Sequence, residues 1–88
     1  MPTVHIPSAL RGQSGGVAQL EIAGETLRDV VNALEERFPG IARHLAEGDA
    51  LARGLAASID GQMTNRGLWA RVRPESEIHF LPAIGGGC

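Results

Sequence analysis

The chain of 88 residues contains no lysine, no tyrosine, a single cysteine and only three aromatic side chains, Phe38, Trp69 and Phe80. Without lysine, only the N-terminal amine could accept an isopeptide-like bond. One cysteine cannot close an internal disulfide, and as residue 88 it stands apart from any core, so it needs an explanation other than folding. With so few aromatics the core has to be built from Val, Leu, Ile and Ala. A chain this short buries only roughly 60% of its unfolded surface, which implies modest stability and a single domain. Eight basic residues, all arginine and scattered, stand against ten acidic ones for a formal charge of -2. That is not the concentrated basic footprint that nucleic acid or an anionic membrane surface requires. No apolar run approaches the roughly 20 residues of a membrane span, and no basic stretch followed by an apolar one opens the chain. Neither a membrane helix nor a signal peptide is expected, and a cytoplasmic location is.

What the chain does have is periodicity. Thr3 to Ile6 alternates, with Val4 and Ile6 on one face, and Val17 to Ile22 resumes the alternation after the turn-rich Arg11-Gly12-Gln13-Ser14-Gly15-Gly16. The two predict a β-hairpin. A glycine-rich loop that cradles phosphate would open directly into a helix, and here a strand follows. From Thr26 to Phe38, Leu27, Val30, Val31, Leu34 and Phe38 recur at spacings of three and four, the stripe of an amphipathic helix. Thr26 can cap it by accepting from the Asp29 amide, and Pro39-Gly40 ends it. Its other face, with Arg28, Asn32, Glu35 and Glu36, reads as solvated.

Between Ile41 and Arg53 the pattern weakens to a loop with one short helix, where Ile41, Leu45 and Leu51 could pin a turn to the core. Leu55, Ala57 and Ile59 then alternate up to Asp60-Gly61, a strong hairpin signal. A short strand over Gln62 to Arg66 and a helical turn joining Leu68 to Val72 are expected next. The last strand is Glu77 to Leu81, with Ile78 and Phe80 inward. This order predicts an α+β domain in which a mixed sheet packs on one main helix. The β-grasp is such a fold, with its first and last strands parallel and adjacent in mid-sheet. The division expected is a β-grasp domain over 1–82 and a flexible C-terminal Gly-Gly tail over 83–88.

Three consecutive glycines, Gly85-Gly86-Gly87, have no packing purpose. A backbone without side chains can enter a narrow channel and present a terminal carboxyl to another protein's active site. A frayed end or an added segment is the plainer alternative. Ile6-Pro7, Leu10-Arg11 and Gly15-Gly16 in the hairpin, Thr26-Leu27, Val30 and Leu34 in the helix, and Phe80-Leu81-Pro82-Ala83-Ile84-Gly85-Gly86-Gly87 at the end resemble one family. It is that of the ubiquitin-like sulfur carrier proteins of the MoaD and ThiS group, and within it the CysO type of cysteine biosynthesis. The resemblance implies a non-catalytic carrier with no bound cofactor. An E1-like adenylyltransferase/sulfurtransferase would adenylate its C-terminal glycine and convert it to a thiocarboxylate that donates sulfur. A cysteine synthase homologue and a JAMM/MPN+ zinc metalloprotease are the further partners implied.

Cys88 departs from the family ending. Alignment on Pro82 to Gly87 makes Gly87 the reactive terminus, with Gly86 beside it, and leaves Cys88 one residue too many. Three origins are open: a carrier-cysteine product, an encoded precursor trimmed to Gly87, or a cysteine added for labelling. The runner-up function is a ubiquitin-like modifier conjugated to target amines through Gly87. Leu81 and Trp69, expected to face outward, and Gly85 are the candidate partner contacts, with partial burial as the alternative for the first two. His5 and His79 could share the outer face of neighbouring parallel strands, but two histidines without a third ligand make no metal site. His44 lacks a partner. The pairs Glu35-Glu36 and Glu75/Glu77 lie on helix or strand surfaces where acid-base catalysis is not expected. Cys88 has no base nearby to make it a nucleophile.

Overall fold

The structure, a computed structural model, describes residues 1–64 and 66–82. In chain order the elements are β1 (Thr3–His5), β2 (Gln19–Glu21), α1 (Leu27–Arg37), α2 (Ala42–Leu45), β3 (Ala46–Glu47), β4 (Ala50–Leu51), β5 (Leu55–Ile59), β6 (Gln62–Met63) and β7 (Glu77–Pro82). Single 3-10 turns occupy Ser8–Leu10 and Gly67–Trp69. Five strands form one sheet in the order β2-β1-β7-β5-β6. β1 runs parallel to β7, with Val4 opposite Ile78 and His5 opposite His79, and the other pairings are antiparallel. A parallel central pair of first and last strands with one long helix across the sheet is the β-grasp architecture.

Alternation decides which side chains face the helix. Val4, Ile78 and Ala57 are fully buried and Phe80 is nearly so, whereas their neighbours Thr3, His5, Glu77 and His79 keep exposure on the opposite face. From α1 come Leu27, Val30, Val31 and Leu34, the stripe that the spacing marks, and all four are buried. Each such side chain taken from water is worth about 1.5–3 kcal/mol before entropy is counted. Thr26 Oγ1 accepts from the Asp29 amide at 3.2 Å, as expected of the cap, and Asp29 stands in the favourable first turn. Asp60 (φ 54°) and Gly61 (φ 84°) turn the β5–β6 hairpin with two left-handed residues, the backbone a two-residue type I′ loop requires.

The connection between α1 and β5 differs from the loop expected. α2 is the short helix, and Ile41 and Leu45 are fully buried as its pins. After it β3 and β4 pair as a two-stranded antiparallel ladder, Ala46 opposite Leu51. The supposedly solvated face of α1 holds this connection in place. Arg28 pairs with Asp49 and donates to the Gly48 carbonyl at 2.9 Å, while the two carboxylate oxygens of Glu35 accept from the amides of Gly40 (2.8 Å) and Ala42 (2.9 Å). Those two amides hold the Glu35 carboxyl below its ordinary range. Further on, the strand expected over Gln62 to Arg66 is shorter, Gln62–Met63, paired with Ser58 and Ile59, with one more bond beyond it from the Thr64 amide to the Ala57 carbonyl at 3.0 Å. The turn at Leu68 is 3-10, and it buries Leu68 completely.

Candidate functional site

The expected tail begins where β7 ends. β7 pairs in parallel with β1 over Glu77 to His79 and in antiparallel with β5 from Ile59–Ile78 to Leu55–Pro82. The last residues of this central strand, Phe80 to Pro82, are thus held in the ladder by β5. Gly85, Gly86, Gly87 and Cys88, the expected reactive and contact residues of the tail, lie outside the described residues, as does the 83–88 segment as a whole.

Leu81 is half-buried on the outer face of the sheet, paired with Ala56 of β5, so it does point away from the helix as its parity demands. Trp69 is 62% exposed. It belongs to the 3-10 turn that packs against α1 and β4, whereas Leu81 belongs to β7 and faces away from α1. The two expected contacts are thus carried by different elements, one on the sheet and one beside the helix.

The outer face brings the two histidines expected there together with a third group, Glu77. His5 and His79 stand opposite each other in the parallel ladder, and their rings stack with centroids 4.0 Å apart and an interplanar angle of 4°. Glu77 lies two residues before His79, on the same face, and its Oε1 is 3.2 Å from His5 Nε2. In the sequence Glu77 reads as a surface carboxylate and not as a partner of the histidines. Its parity with His79 was the available signal.

Also at the start of β7, an open cleft of about 480 Å³ is bordered by Asp60, Gln62, Arg66, Arg71 and Arg73. Asp60 organises its rim: Oδ1 accepts from the Glu77 amide at 3.0 Å, and Oδ2 accepts from the Ser76 hydroxyl at 2.9 Å. These bonds, with Arg73 nearby, hold the Asp60 carboxyl below its ordinary range. Its work is to tie the β5–β6 turn to the start of β7. No helix among the described residues is long and apolar enough to cross a membrane.

The chain is thus a β-grasp domain whose last, central strand is followed in the sequence by Ala83-Ile84-Gly85-Gly86-Gly87. The ThiS family matches residues 4–87, and the chain belongs to that family. It is 27% identical over 90 residues to the sulfur carrier protein CysO of Mycobacterium tuberculosis, with 97% of each chain covered. The crystal structure of that CysO superposes with a TM-score of 0.86 over 96% of this chain and 100% of the other. A chain of the Amycolatopsis orientalis BexX/CysO complex is 29% identical with a TM-score of 0.89, covering 96% of this chain and 97% of that one. The small archaeal modifier protein 1 of Methanosarcina acetivorans is 25% identical with a TM-score of 0.76, over 98% of this chain and 95% of its own.

Proposed function

We propose that this chain is a sulfur carrier protein, not itself an enzyme, that works through Gly87. On an E1-like adenylyltransferase/sulfurtransferase the Gly87 carboxylate displaces pyrophosphate from ATP to form an acyl-adenylate. Sulfide sulfur then displaces AMP and leaves a thiocarboxylate. The carboxylate is a poor electrophile and the mixed anhydride a good one, which is why activation precedes sulfur loading. In cysteine biosynthesis the thiocarboxylate sulfur attacks an activated serine derivative on a cysteine synthase homologue and expels its leaving group. The thioester then rearranges by an S-to-N acyl shift to a peptide-bonded cysteine. A JAMM/MPN+ zinc metalloprotease hydrolyses the Gly87–Cys88 peptide with one water and restores the Gly87 carboxylate. Cys88 is either the product of that cycle or the last residue of a precursor trimmed by the same hydrolase, and both place the scissile bond at the same peptide. Leu81, Trp69 and Gly85 are the contacts by which partners hold the carrier.

The observation that carries this reading is that the family match runs through Gly87 and stops one residue before Cys88. Intact mass tests it. A JAMM-type protease should remove one cysteine residue from the full chain, and oxygen-to-sulfur exchange should follow only when activating enzyme, ATP and sulfide are added. If the chain that keeps Cys88 forms acyl-adenylate and thiocarboxylate as readily as the chain ending at Gly87, then Gly87 is not the reactive residue. Likeness to an archaeal modifier protein supports a second reading, conjugation of Gly87 to target amines. Amide-linked conjugates ending in Gly87, formed with activating enzyme and ATP alone, would favour it.

A further inference from the structure

We propose that His5, Glu77 and His79 form a binding site for a divalent transition-metal ion of the zinc class on the outer face of the sheet, with a fourth position open to water. The three side chains come from β1 and β7, the two central strands, and share one face because His5 lies opposite His79 and Glu77 precedes His79 by two. Their ligand atoms all lie within 4.8 Å of one another. A tetrahedral ion with bonds of about 2.0–2.1 Å sets its ligand atoms about 3.3 Å apart. The edge from His5 Nε2 to Glu77 Oε1 already measures 3.2 Å. The remaining adjustment is in the side chains: the two rings, now stacked at 4°, open into a V so that their lone pairs converge.

The donor chemistry agrees with the geometry. Two imidazole nitrogens and one carboxylate oxygen are a borderline set, suited to zinc, copper or nickel and poorly suited to calcium or magnesium, which take oxygen. His5 and His79 are half-buried and Glu77 is exposed, so an ion can reach all three. Glu21, on the same face across Thr3, adds negative charge that favours a cation. The backbone under the site is held by ladder hydrogen bonds on both sides of β1 and β7, so little ordering is left for binding to impose. Leu81 follows His79 by two on this face, about 6–7 Å along the strand, so a bound ion would sit within the surface offered to partners.

Titration of the full chain with Zn²⁺ by calorimetry, with imidazole nitrogen shifts followed by NMR, tests the site. One ion should bind saturably, moving the His5 and His79 ring signals and leaving those of His44 in place. The double variant His5→Ala/His79→Ala should bind at least about tenfold more weakly, and Glu77→Gln should weaken binding by a smaller factor. All three substitutions lie on the outer face, and melting in the presence of a chelator checks that the variants are folded. Parental affinity in the double variant would place the ion elsewhere on the chain and overturn the proposal. So would the absence of saturable Zn²⁺ binding, or shifts confined to His44.

Discussion

Leu34→Ala is the sharpest test of how this small domain is held together. Leu34 is fully buried in α1, and its carbonyl accepts from the Phe38 amide, a bond that alanine keeps. Only packing is removed. Three carbons leave the core, about 2.4 kcal/mol at about 0.8 kcal/mol per methylene. A cavity term adds to this, because α1 is held between the sheet, α2 and the 3-10 turn and cannot settle into the gap. The total should be about 3 kcal/mol, inside the range of about 2–5 kcal/mol found for buried leucines. A domain of this length has about 4–13 kcal/mol in all, so the variant loses a large part of its stability. Urea denaturation should show the midpoint falling with little change in slope, and Tm should drop by about 12–24 °C. Asn32→Ala, on the exposed face of the same helix, should stay within about 0.5 kcal/mol of the parent. A loss below about 1 kcal/mol for Leu34→Ala, with the slope unchanged, would refute the packing of α1 on the sheet as the source of stability.

Two further outcomes bear on the outer face and on acid stability. Leu81→Asp should slow acyl-adenylate formation by the proposed E1-like partner while the domain stays folded, because Leu81 is half-buried outside the core; normal adenylation would remove this surface from the proposed interface. Glu35 has its carboxyl lowered in the fold below the ordinary 4.5 by the Gly40 and Ala42 amides. Its stabilisation is therefore fully present above 4.5 and lost as pH falls through the folded value. Glu35→Gln should be less stable than the parent in neutral urea titrations, and the gap should close in acid; a gap independent of pH would show that the carboxylate charge is not what caps these amides.

Local pattern was enough for the elements whose own residues decide them. Alternation in β1 and β7, the stripe of α1, the Thr26 cap and the Asp60-Gly61 turn are properties of a few consecutive residues, and they stand where the spacing places them. β3 and β4 were not legible. Two residues each are too few to show alternation, and their pairing depends on Arg28, more than twenty residues before β4, gripping Gly48 and Asp49 at the turn between them. Glu35 likewise reads as a solvated carboxylate until the chain folds back and brings the Gly40 and Ala42 amides to it.

The outer face divides in the same way. Parity along each strand assigns His5 to one side of β1, and Glu77 and His79 to one side of β7, from the sequence alone. It does not say which residue of β1 meets which residue of β7. That register is set when Val4 and Ile78 are driven together under α1, and a slip of two residues would keep every side chain on its face yet part His5 from His79. Periodicity thus determined the faces, and the burial of the core, acting over more than seventy residues of separation, decided the neighbours.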